Sequence, residues 1–351
     1  MITWSIIGIL SAITIGIFLF LRQPAFGRLP SGERLERIKR SPNYRDGEFK
    51  NLQLTPLMTG KKSRWQTLRE FLFADRSNLK PRNPIKAQKI DLKNLPTEEN
   101  LMVWFGHSSY LLQVDGKRIL VDPVFHSASP VSFLFKPFAG TDIYQAEDMP
   151  DVDYLVISHD HWDHLDYQTV VALKESVRKV ICPLGVGEHF EYWGYDREKL
   201  VELDWMEDAQ FDDGFTVHCL PTRHFSGRGL TANQSLWASF LFDTPSLKIF
   251  IGGDGGYGTH LSQIGKQDTD IDWAILENGQ YNEEWRYIHT LPSQLQQEVQ
   301  DLNAKNIVTV HHSKFALARH PWDEPLRNEK RLKEETTRHV AIPEIGEILH
   351  L

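Results

Sequence analysis

The sequence predicts an apolar N-terminal helix followed by one mixed α/β domain of the α+β kind. Residues 2–21 carry no charge and are dominated by Ile, Leu, Phe, Gly and Ala. From about residue 101, short apolar or alternating runs bounded by turn residues follow one another, with helical patterns between some of them. Mixed strands and helices over about 250 residues are typical of a single domain with a substantial core.

The apolar N-terminal run is long enough to cross a membrane. Twenty residues at helical rise span about 30 Å, the thickness of the hydrocarbon core of a bilayer. A cleaved signal peptide is the alternative, but no Lys or Arg precedes the run and no small-residue cleavage site follows it in residues 21–24. The sequence therefore favours an uncleaved transmembrane anchor.

The segment after this run is basic, whereas the rest of the chain is acidic. Residues 22–95 hold 18 Lys and Arg against 7 Asp and Glu, and the whole chain carries −8, so residues 96–351 sum to −19. A basic flank is retained on the cytoplasmic side and attracts anionic lipid headgroups, although a solvated linker has the same composition. We expect a single-pass membrane protein with a cytoplasmic domain, and the acidic body argues against nucleic acid as a partner.

Residues 22–63 contain four prolines among scattered charges and predict an extended linker with little regular structure. Apolar side chains at helical spacing predict a short amphipathic helix over 65–74, which would pack on the domain or lie on the bilayer. Residues 76–96 predict another polar connector. The expected organisation is an anchor over 1–22, a basic linker with an amphipathic segment over 23–96, and a folded domain over 97–351.

Ten apolar or alternating runs predict the strands of the folded domain. In chain order they lie in LMVWF, SYLLQV, RILVDPVF, DYLVIS, KVICP, FTVHCL, SFLF, KIFIGGD, DWAILE and NIVTVH. Helices are predicted over 167–178 and 292–302. The only cysteines are Cys182 and Cys219, so a disulfide framework is not expected, and Cys219 is expected to be buried.

A dense set of metal-ligand side chains directly follows the strand in DYLVIS. The segment His159 to His164 reads His-Asp-His-Trp-Asp-His. Imidazoles and carboxylates suit zinc and its neighbours. In a turn, His159 and His161 can face one metal ion. Asp163 and His164 then face a second, and two ions about 3.5–4 Å apart form a clamp for hydrolysis. The alternative, a surface loop with incidental histidines, is disfavoured by the placement at a strand end.

Further ligands must come from other strand ends. Three ligand-type side chains directly follow apolar strands, where sites of α/β folds usually lie: His224, Asp254 and His311. Glycines on both sides of Asp254 let the backbone approach a bound ion. Taken singly, each of the three is also compatible with a structural role, as are His218 and His312 in similar surroundings.

Together these positions resemble the metal-ligand set of the metallo-β-lactamase superfamily. Within it, the chain is similar to the N-acylphosphatidylethanolamine-hydrolysing phospholipase D group and its bacterial relatives. Five segments carry the likeness: WFGHS at 104–108, VDPVF at 121–125, SHDHWDHLD at 158–166, GGDGGY at 252–257 and HHSKFAL at 311–317. The last departs from the group's H-W-G-T-F-A-L at His312, Ser313 and Lys314.

The resemblance implies an αββα sandwich with two divalent ions at one edge between two sheets. The first ion would be held by His159, His161 and His224. The second would be held by Asp163, His164 and His311, with Asp254 bridging the two. Zinc is the expected metal, with iron or manganese as alternatives, and a hydroxide held by both ions is the expected nucleophile.

Three further residues are candidates for the site. His107 follows a strand and a glycine, and either hydrogen-bonds a metal ligand or is a turn histidine with no role. Asp122 either orients a ligand histidine or caps a turn. His289 matches a histidine of the phospholipase group, and we expect it to contact the substrate phosphate or to protonate the leaving alkoxide. Asp163 and His289 are the residues expected to take part in catalysis.

One aromatic segment, residues 132–138, has two interpretations. Packing over the core is favoured, and an exposed loop that dips into the bilayer or holds acyl chains is the alternative.

The expected function is a phospholipase-D-like phosphodiesterase acting on a lipid headgroup at the membrane. A lactonase or other phosphoester hydrolase with a soluble substrate, such as a sugar phosphate, keeps the same metal site and is the first alternative. A non-catalytic, membrane-tethered binding protein is the second, which the intact ligand set disfavours. An RNA-processing nuclease of the same superfamily is disfavoured by the charge of −19 on residues 96–351.

Overall fold

The computed structural model describes residues 2–60, 65, 66, 69, 78–211 and 214–351. The amphipathic helix predicted over 65–74 therefore lies almost entirely outside the described residues. The described α-helices are α1 (Ile2–Leu21), α2 (Gly32–Arg40), α3 (Tyr167–Leu173), α4 (Gly187–Tyr192), α5 (Thr259–Gln267), α6 (Leu295–Leu302) and α7 (Glu324–Glu335).

The described strands form a small hairpin and two large sheets. The hairpin pairs β1 (Tyr44–Arg45) with β2 (Glu48–Phe49). The first large sheet contains β3 (Leu101–Trp104), β4 (Tyr110–Val114), β5 (Lys117–Val121), β6 (Val152–Val156), β7 (Val177–Pro183), β8 (Leu200–Leu203) and β16 (Ile348–His350). The second contains β9 (Asp208–Gln210), β10 (Thr216–Leu220), β11 (Ser239–Asp243), β12 (Lys248–Ile251), β13 (Trp273–Glu277), β14 (Asn306–Val310) and β15 (His339–Ala341).

Both seven-stranded sheets follow the same plan. Their orders are β16-β3-β4-β5-β6-β7-β8 and β9-β10-β11-β12-β13-β14-β15. In each order the first four strands are antiparallel neighbours and the last four are parallel. Because parallel strands end at the same edge of a sheet, the loops that follow β5, β6, β12, β13 and β14 are brought close together.

The two sheets pack face to face and carry helices on their outer faces, as the predicted αββα sandwich requires. The core between the sheets is built from side chains of both, including Leu112, Phe240 and Ile249. Helices α3 and α4 cover the first sheet with side chains that include Val170 and Phe190. Helices α5, α6 and α7 cover the second sheet through Leu261, Val299 and Leu332.

All ten predicted strands are present, as β3 to β7 and β10 to β14. The four edge strands β8, β9, β15 and β16 were missed because they are only three or four residues long. In β8, β9 and β16 few residues are buried, so these three also lack an apolar signal. The helix predicted over 167–178 is too long, since α3 ends at Leu173 and β7 begins at Val177. The helix predicted over 292–302 is α6.

The expectation of an extended linker over 22–63 is wrong for its described part. Helix α2 and the β1–β2 hairpin fold onto the body. Ile38 and Phe49 are fully buried and join the core between the sheets. The segment has few apolar residues, but these two pack in the core between the sheets. The segment is therefore part of the folded body.

Basic side chains of the same segment pair with acidic groups of the body. The guanidinium of Arg34 lies 2.5 Å from Glu188, 3.0 Å from Glu191 and 2.7 Å from Glu202. Arg28 reaches Glu188 as well, at 2.7 Å. Part of the basic flank therefore neutralises the acidic body instead of facing lipid headgroups.

Helix α1 is long and apolar enough to cross a membrane. Its window Trp4–Leu21 has a mean hydropathy of 2.3 and no buried residue. Its C-terminal end is attached to the body through aromatic rings. Phe20 packs edge-on against Phe26 with ring centroids 5.2 Å apart, and Phe26 packs likewise against Trp162 at 5.0 Å.

Candidate metal centre

The structure brings all seven predicted metal ligands together at one edge of the sandwich. Four come from the loop after β6, here called the metal loop (residues 159–164), and the others follow β10, β12 and β14. Strained backbone accompanies them, since His107, Asp122 and His311 have φ values of 55°, 40° and 70°. Such conformations persist only where the surrounding structure enforces them, and they are frequent at functional sites.

Three imidazoles form a first cluster. His159 Nε2 lies 2.8 Å from His161 Nδ1, which lies 3.2 Å from His224 Nε2. His224 Nδ1 donates to the carbonyl oxygen of Ile288 at 2.7 Å, so its Nε2 carries the lone pair that faces the cluster. Three nitrogens around one point fit the first predicted metal ion.

Asp163, His164 and His311 form a second cluster, which His107 joins. His164 Nε2 lies 3.7 Å from Asp163 Oδ2. His107 Nε2 lies 3.0 Å from the same oxygen, so the predicted hydrogen bond between His107 and a ligand-type side chain is present. His311 Nδ1 lies 2.8 Å from Ser108 Oγ, which orients that ring.

Asp254 lies between the two clusters. Its Oδ2 is 3.1 Å from His164 Nε2 and 3.9 Å from His224 Nε2. Its Oδ1 is 3.2 Å from His311 Nδ1, but no described residue makes a hydrogen bond to this oxygen. The carboxylate is 3% exposed. A buried anionic oxygen without a donor is costly, and a bound cation removes that cost.

Asp122 makes the contact expected of a residue that orients a ligand histidine. Its Oδ2 accepts a hydrogen bond from Ser158 Oγ at 2.6 Å and lies 2.7 Å from His164 Nδ1, and its Oδ1 accepts from Ser158 N at 2.8 Å. Because His164 Nδ1 donates to Asp122, the other nitrogen points at Asp254 Oδ2. A proton or a metal ion between this nitrogen and the carboxylate oxygen makes the contact favourable, and the donor set fits a divalent metal ion.

We expect Asp122→Asn to weaken metal affinity about 10- to 100-fold, because an amide cannot accept hydrogen bonds from Ser158 and His164 through both of its end atoms. Chelator competition on the purified variant measures this loss. Asp208→Asn is the matched control, since Asp208 holds His218 at 2.7 Å outside the clusters. Equal affinity in both variants would remove the orienting role of Asp122.

His289 lies beside Asp254 and is held by a carboxylate that the sequence did not single out. His289 Nδ1 is 2.8 Å from Glu277 Oε2 and 4.0 Å from Asp254 Oδ2. Its ring stacks on that of His311, with centroids 5.5 Å apart. Burial raises the pKa of Glu277 to about 7, and Glu277 raises the pKa of His289 against the effect of burial.

The metal loop is packed against the segment that follows α1. Trp162 stands between His161 and Asp163, and the guanidinium of Arg228 lies over its ring at 4.1 Å. Arg228 donates to the carbonyl oxygens of Leu165 at 2.6 Å and of Ala25 at 2.8 Å. The metal loop and the residues directly after α1 therefore form one packed unit.

A cavity of about 250 Å³ lies next to this unit. Leu21, Leu29 and Leu230 form apolar walls, and Asp160 lies at its polar side. A second apolar surface is the predicted aromatic segment over 132–138. Phe133 and Leu134 are 69% and 57% exposed, so the interpretation of these side chains as packed over the core is wrong.

Residues 117–312, more than half of the chain, match the sequence model of a family described as the β-lactamase superfamily domain. The chain belongs to the β-lactamase superfamily. Its two sheets with outer helices and its seven converging candidate ligands agree with this placement, so the protein is a metal-dependent hydrolase of the metallo-β-lactamase fold.

Relatives of this metal-dependent hydrolase include proteins from bacteria, animals and archaea. An uncharacterised protein of Mycobacterium tuberculosis is 39% identical over 314 residues, 88% of this chain and 84% of that protein. N-acyl-phosphatidylethanolamine-hydrolyzing phospholipase D 1 of Caenorhabditis elegans is 27% identical over 270 residues, 72% and 74% of the two chains. The solved metallo-hydrolase Igni18 of Ignicoccus hospitalis has a TM-score of 0.54 at 19% identity, covering 72% of this chain and 98% of its own, which shows the fold.

The two histidines that the sequence analysis compared with the candidate ligands, His218 and His312, lie outside the two clusters. His312 Nε2 lies 3.1 Å from Glu329, and His218 pairs with Asp208. Cys219 is buried and free, as is Cys182.

Two residues of the site, Glu277 and Arg228, were missed by the sequence analysis. Glu277 ends an apolar strand as a ligand-type side chain, so the rule that found Asp254 could also have found it, whereas no local signal marks Arg228.

Proposed function

We propose that this hydrolase cleaves a phosphodiester bond of a membrane lipid, at a site held on the surface of the bilayer. The contact between α1 and the metal loop carries the proposal, since Phe26 packs against both Phe20 of α1 and Trp162 of the loop. A helix that spans the hydrocarbon core ends at the lipid headgroups. The metal loop then lies at the level of those headgroups.

Two further observations support a lipid over a small polar metabolite. The Caenorhabditis elegans relative is named for hydrolysis of N-acyl-phosphatidylethanolamine, a lipid phosphodiester. The cavity beside the metal loop has apolar walls from Leu21, Leu29 and Leu230, which suit hydrocarbon. Its polar side contains Asp160 and Arg228, and none of the seven candidate ligands lines it, so it would hold a part of the lipid away from the bond that is cleaved. A sugar phosphate would bind better in a small polar pocket with converging cationic side chains.

For membrane placement, we propose an uncleaved single-pass anchor over 1–22 with the catalytic body in the cytoplasm. The support is the basic composition of residues 22–95, which the positive-inside rule associates with the cytoplasmic side. The catalytic body begins before residue 97 in this proposal, because α2 and the β1–β2 hairpin contribute to its core.

The proposed ligand roles follow the two clusters. One ion is held by His159, His161 and His224, and the other by Asp163, His164 and His311, with Asp254 between them. Imidazole and carboxylate donors favour zinc, with iron or manganese as alternatives. When bound, two divalent ions supply an activated water and stabilise negative charge on the phosphate oxygens. His107 and Asp122 hold Asp163 and His164 in place through their hydrogen bonds.

His289 is proposed to handle the proton of the leaving group. Its Nδ1 donates to Glu277, which fixes the ring and leaves Nε2 to meet the substrate. Glu277 is in turn held by the backbone N–H of Thr290. A protonated His289 can then donate from Nε2 to the leaving alkoxide as the phosphorus–oxygen bond breaks.

We expect His289→Ala to lower kcat about 10²- to 10⁴-fold for a lipid phosphodiester, whose alkoxide leaving group needs a proton. The loss should be much smaller for bis(p-nitrophenyl) phosphate, since p-nitrophenolate leaves without protonation. Steady-state kinetics on both substrates measure the difference, with His218→Ala as the matched histidine control. An equal loss on both substrates, or no loss at all, would contradict the assigned role.

The membrane proposal is tested with the full chain in lipid nanodiscs. Turnover of N-acyl-phosphatidylethanolamine in the disc is compared with that of soluble bis(p-nitrophenyl) phosphate, in the wild type and in Phe26→Ala. We expect Phe26→Ala to lower lipid turnover about 10-fold or more, because the metal loop loses its fixed position at the bilayer surface where the lipid lies. Turnover of the soluble substrate does not depend on that position and should change little. Trp4→Ala, at the far end of α1, is the control.

Two outcomes of this comparison would favour another function. Metal-loaded protein that hydrolyses only the soluble diester would reject the lipid and favour a soluble substrate. Folded protein that hydrolyses nothing would favour a membrane-tethered binding protein.

A further inference from the structure

A second cavity lies outside both metal clusters. Its volume is about 210 Å³, and its lining comes from residues 51–53, residues 221–223 and the first turns of α5. None of the seven predicted metal ligands lines it, and no Asp or Glu is among its described lining residues. The polar side chains that face this cavity are therefore neutral or cationic.

His260 is a buried polar group of this cavity. It is 8% exposed, and no described residue makes a hydrogen bond to its ring. Burial, and secondarily the Arg223 guanidinium, lower the pKa of His260 to about 4, so the ring is neutral at pH 7 and keeps one N–H donor. A Cβ at position 258 would lie 2.9 Å from His260 Nδ1, so Gly258 leaves room for the ring beside the N-terminus of α5.

Arg223 brings a positive charge that the described residues do not neutralise. Its donors are directed at neutral acceptors: Nε donates to Thr55 Oγ1 at 2.9 Å, and the two terminal nitrogens donate to the carbonyl oxygens of Tyr257 at 3.3 Å and Leu54 at 2.8 Å. Its guanidinium is stacked 4.1 Å above the ring of Tyr287. None of the described carboxylates forms an ion pair with it. A fixed, partly buried charge of this kind is stabilised by an anion.

The N-terminus of α5 adds backbone donors to the same cavity. The helix has nine residues and begins at Thr259, and its N-cap Gly258 supplies no side chain to the free N–H groups of the first turn. These groups and the helix dipole attract negative charge. We propose that this cavity binds the phosphate group of an anion through Arg223, His260 and the first turn of α5.

The phosphate group is common to a lipid headgroup and to a free phosphate ester. The cavity lies directly behind two loops of the metal centre, because Arg223 precedes His224 and Thr222 Oγ1 donates to the carbonyl oxygen of Asp254 at 3.0 Å. Occupation of this second site and occupation of the metal clusters are nevertheless separate events, so the inference stands whether or not the protein hydrolyses lipids.

The test follows the His260 ring by NMR in the zinc-loaded full chain, labelled with ¹³C-histidine and solubilised in a phosphate-free detergent. His260→Gln identifies the signal. Inorganic phosphate should shift it saturably beyond the effect of sodium chloride at equal ionic strength. The shift should be lost in Arg223→Gln and kept in Arg197→Gln, where the exposed arginine pairs with Glu33 at 2.9 Å.

A second arm identifies the source of the phosphate. The His260 signal is compared in nanodiscs containing phosphatidylglycerol, without added phosphate, and in detergent with glycerol 3-phosphate. A shift in the nanodiscs alone assigns the site to a lipid headgroup, and a shift with glycerol 3-phosphate alone assigns it to a soluble ester. A signal that follows only ionic strength, or that shifts equally in wild type and Arg223→Gln, would overturn the proposal.

Discussion

Asp254→Asn should remove at least one of the two metal ions and lower turnover by about 10³-fold or more. The reason lies in the position of this carboxylate between the clusters, with Oδ2 near His164 and Oδ1 near His311. Asparagine keeps the size of the side chain but loses the negative charge and one acceptor oxygen. Elemental analysis and turnover of bis(p-nitrophenyl) phosphate measure both effects on one preparation.

Asp208→Asn serves as the control for this experiment as well. That carboxylate also contacts a histidine, His218, but lies at the surface. The control should keep wild-type metal content and activity. If Asp254→Asn retains both ions and full turnover, the clusters do not share this carboxylate, and the assignment of Asp254 between the ions is wrong.

Arg34→Ala should destabilise the folded body by about 3–5 kcal/mol. Arg34 is buried, and its loss leaves Glu188 and Glu202 as buried carboxylates with reduced compensation. Urea unfolding followed by tryptophan fluorescence measures the free energy of unfolding. The segment that carries Arg34 also places Ile38 in the core between the sheets, so the damage should reach the whole body.

Arg37→Ala is the matched control on the same helix. Arg37 and its partner Glu207 are 40% and 47% exposed, and such surface pairs contribute at most about 1 kcal/mol. Equal, small losses in both variants would mean that the ion pairs of Arg34 do not stabilise the attachment of α2 to the body.

The strands and the clustering of the candidate metal ligands could be predicted from the sequence because both leave strong local signals. Buried strands such as β6 and β14 are mostly apolar runs, and a ligand-type side chain directly after such a run lies where strand ends meet. His224 and Asp254 were found by this rule. The pairing of the two sheets came from the resemblance, because strand order is not encoded locally.

The missed elements bury polar groups or few apolar ones. The buried face of α7 includes Asn328 and Glu329, whose partners are other buried polar groups, so no apolar periodicity marks the helix. Helix α2 is attached by the ion pairs of Arg34 and by one buried apolar side chain, Ile38. Such contacts depend on groups more than a hundred residues away, which sequence patterns do not reveal.

The contact between α1 and the metal loop was also beyond sequence reasoning. Phe26 stands in a proline-containing segment that reads as a linker. Its partner Trp162 lies far along the sequence, after strands β3 to β6. Only the folded structure shows that α1 and the predicted ligands form one unit.

The central claim is a two-ion hydrolytic centre, and its most direct test is the metal content of the folded full chain by elemental analysis after purification in detergent. We predict about two equivalents of divalent metal per chain, removable by a chelator with parallel loss of phosphodiester turnover. A folded chain that holds no metal after incubation with zinc, iron or manganese would contradict the assignment of both clusters.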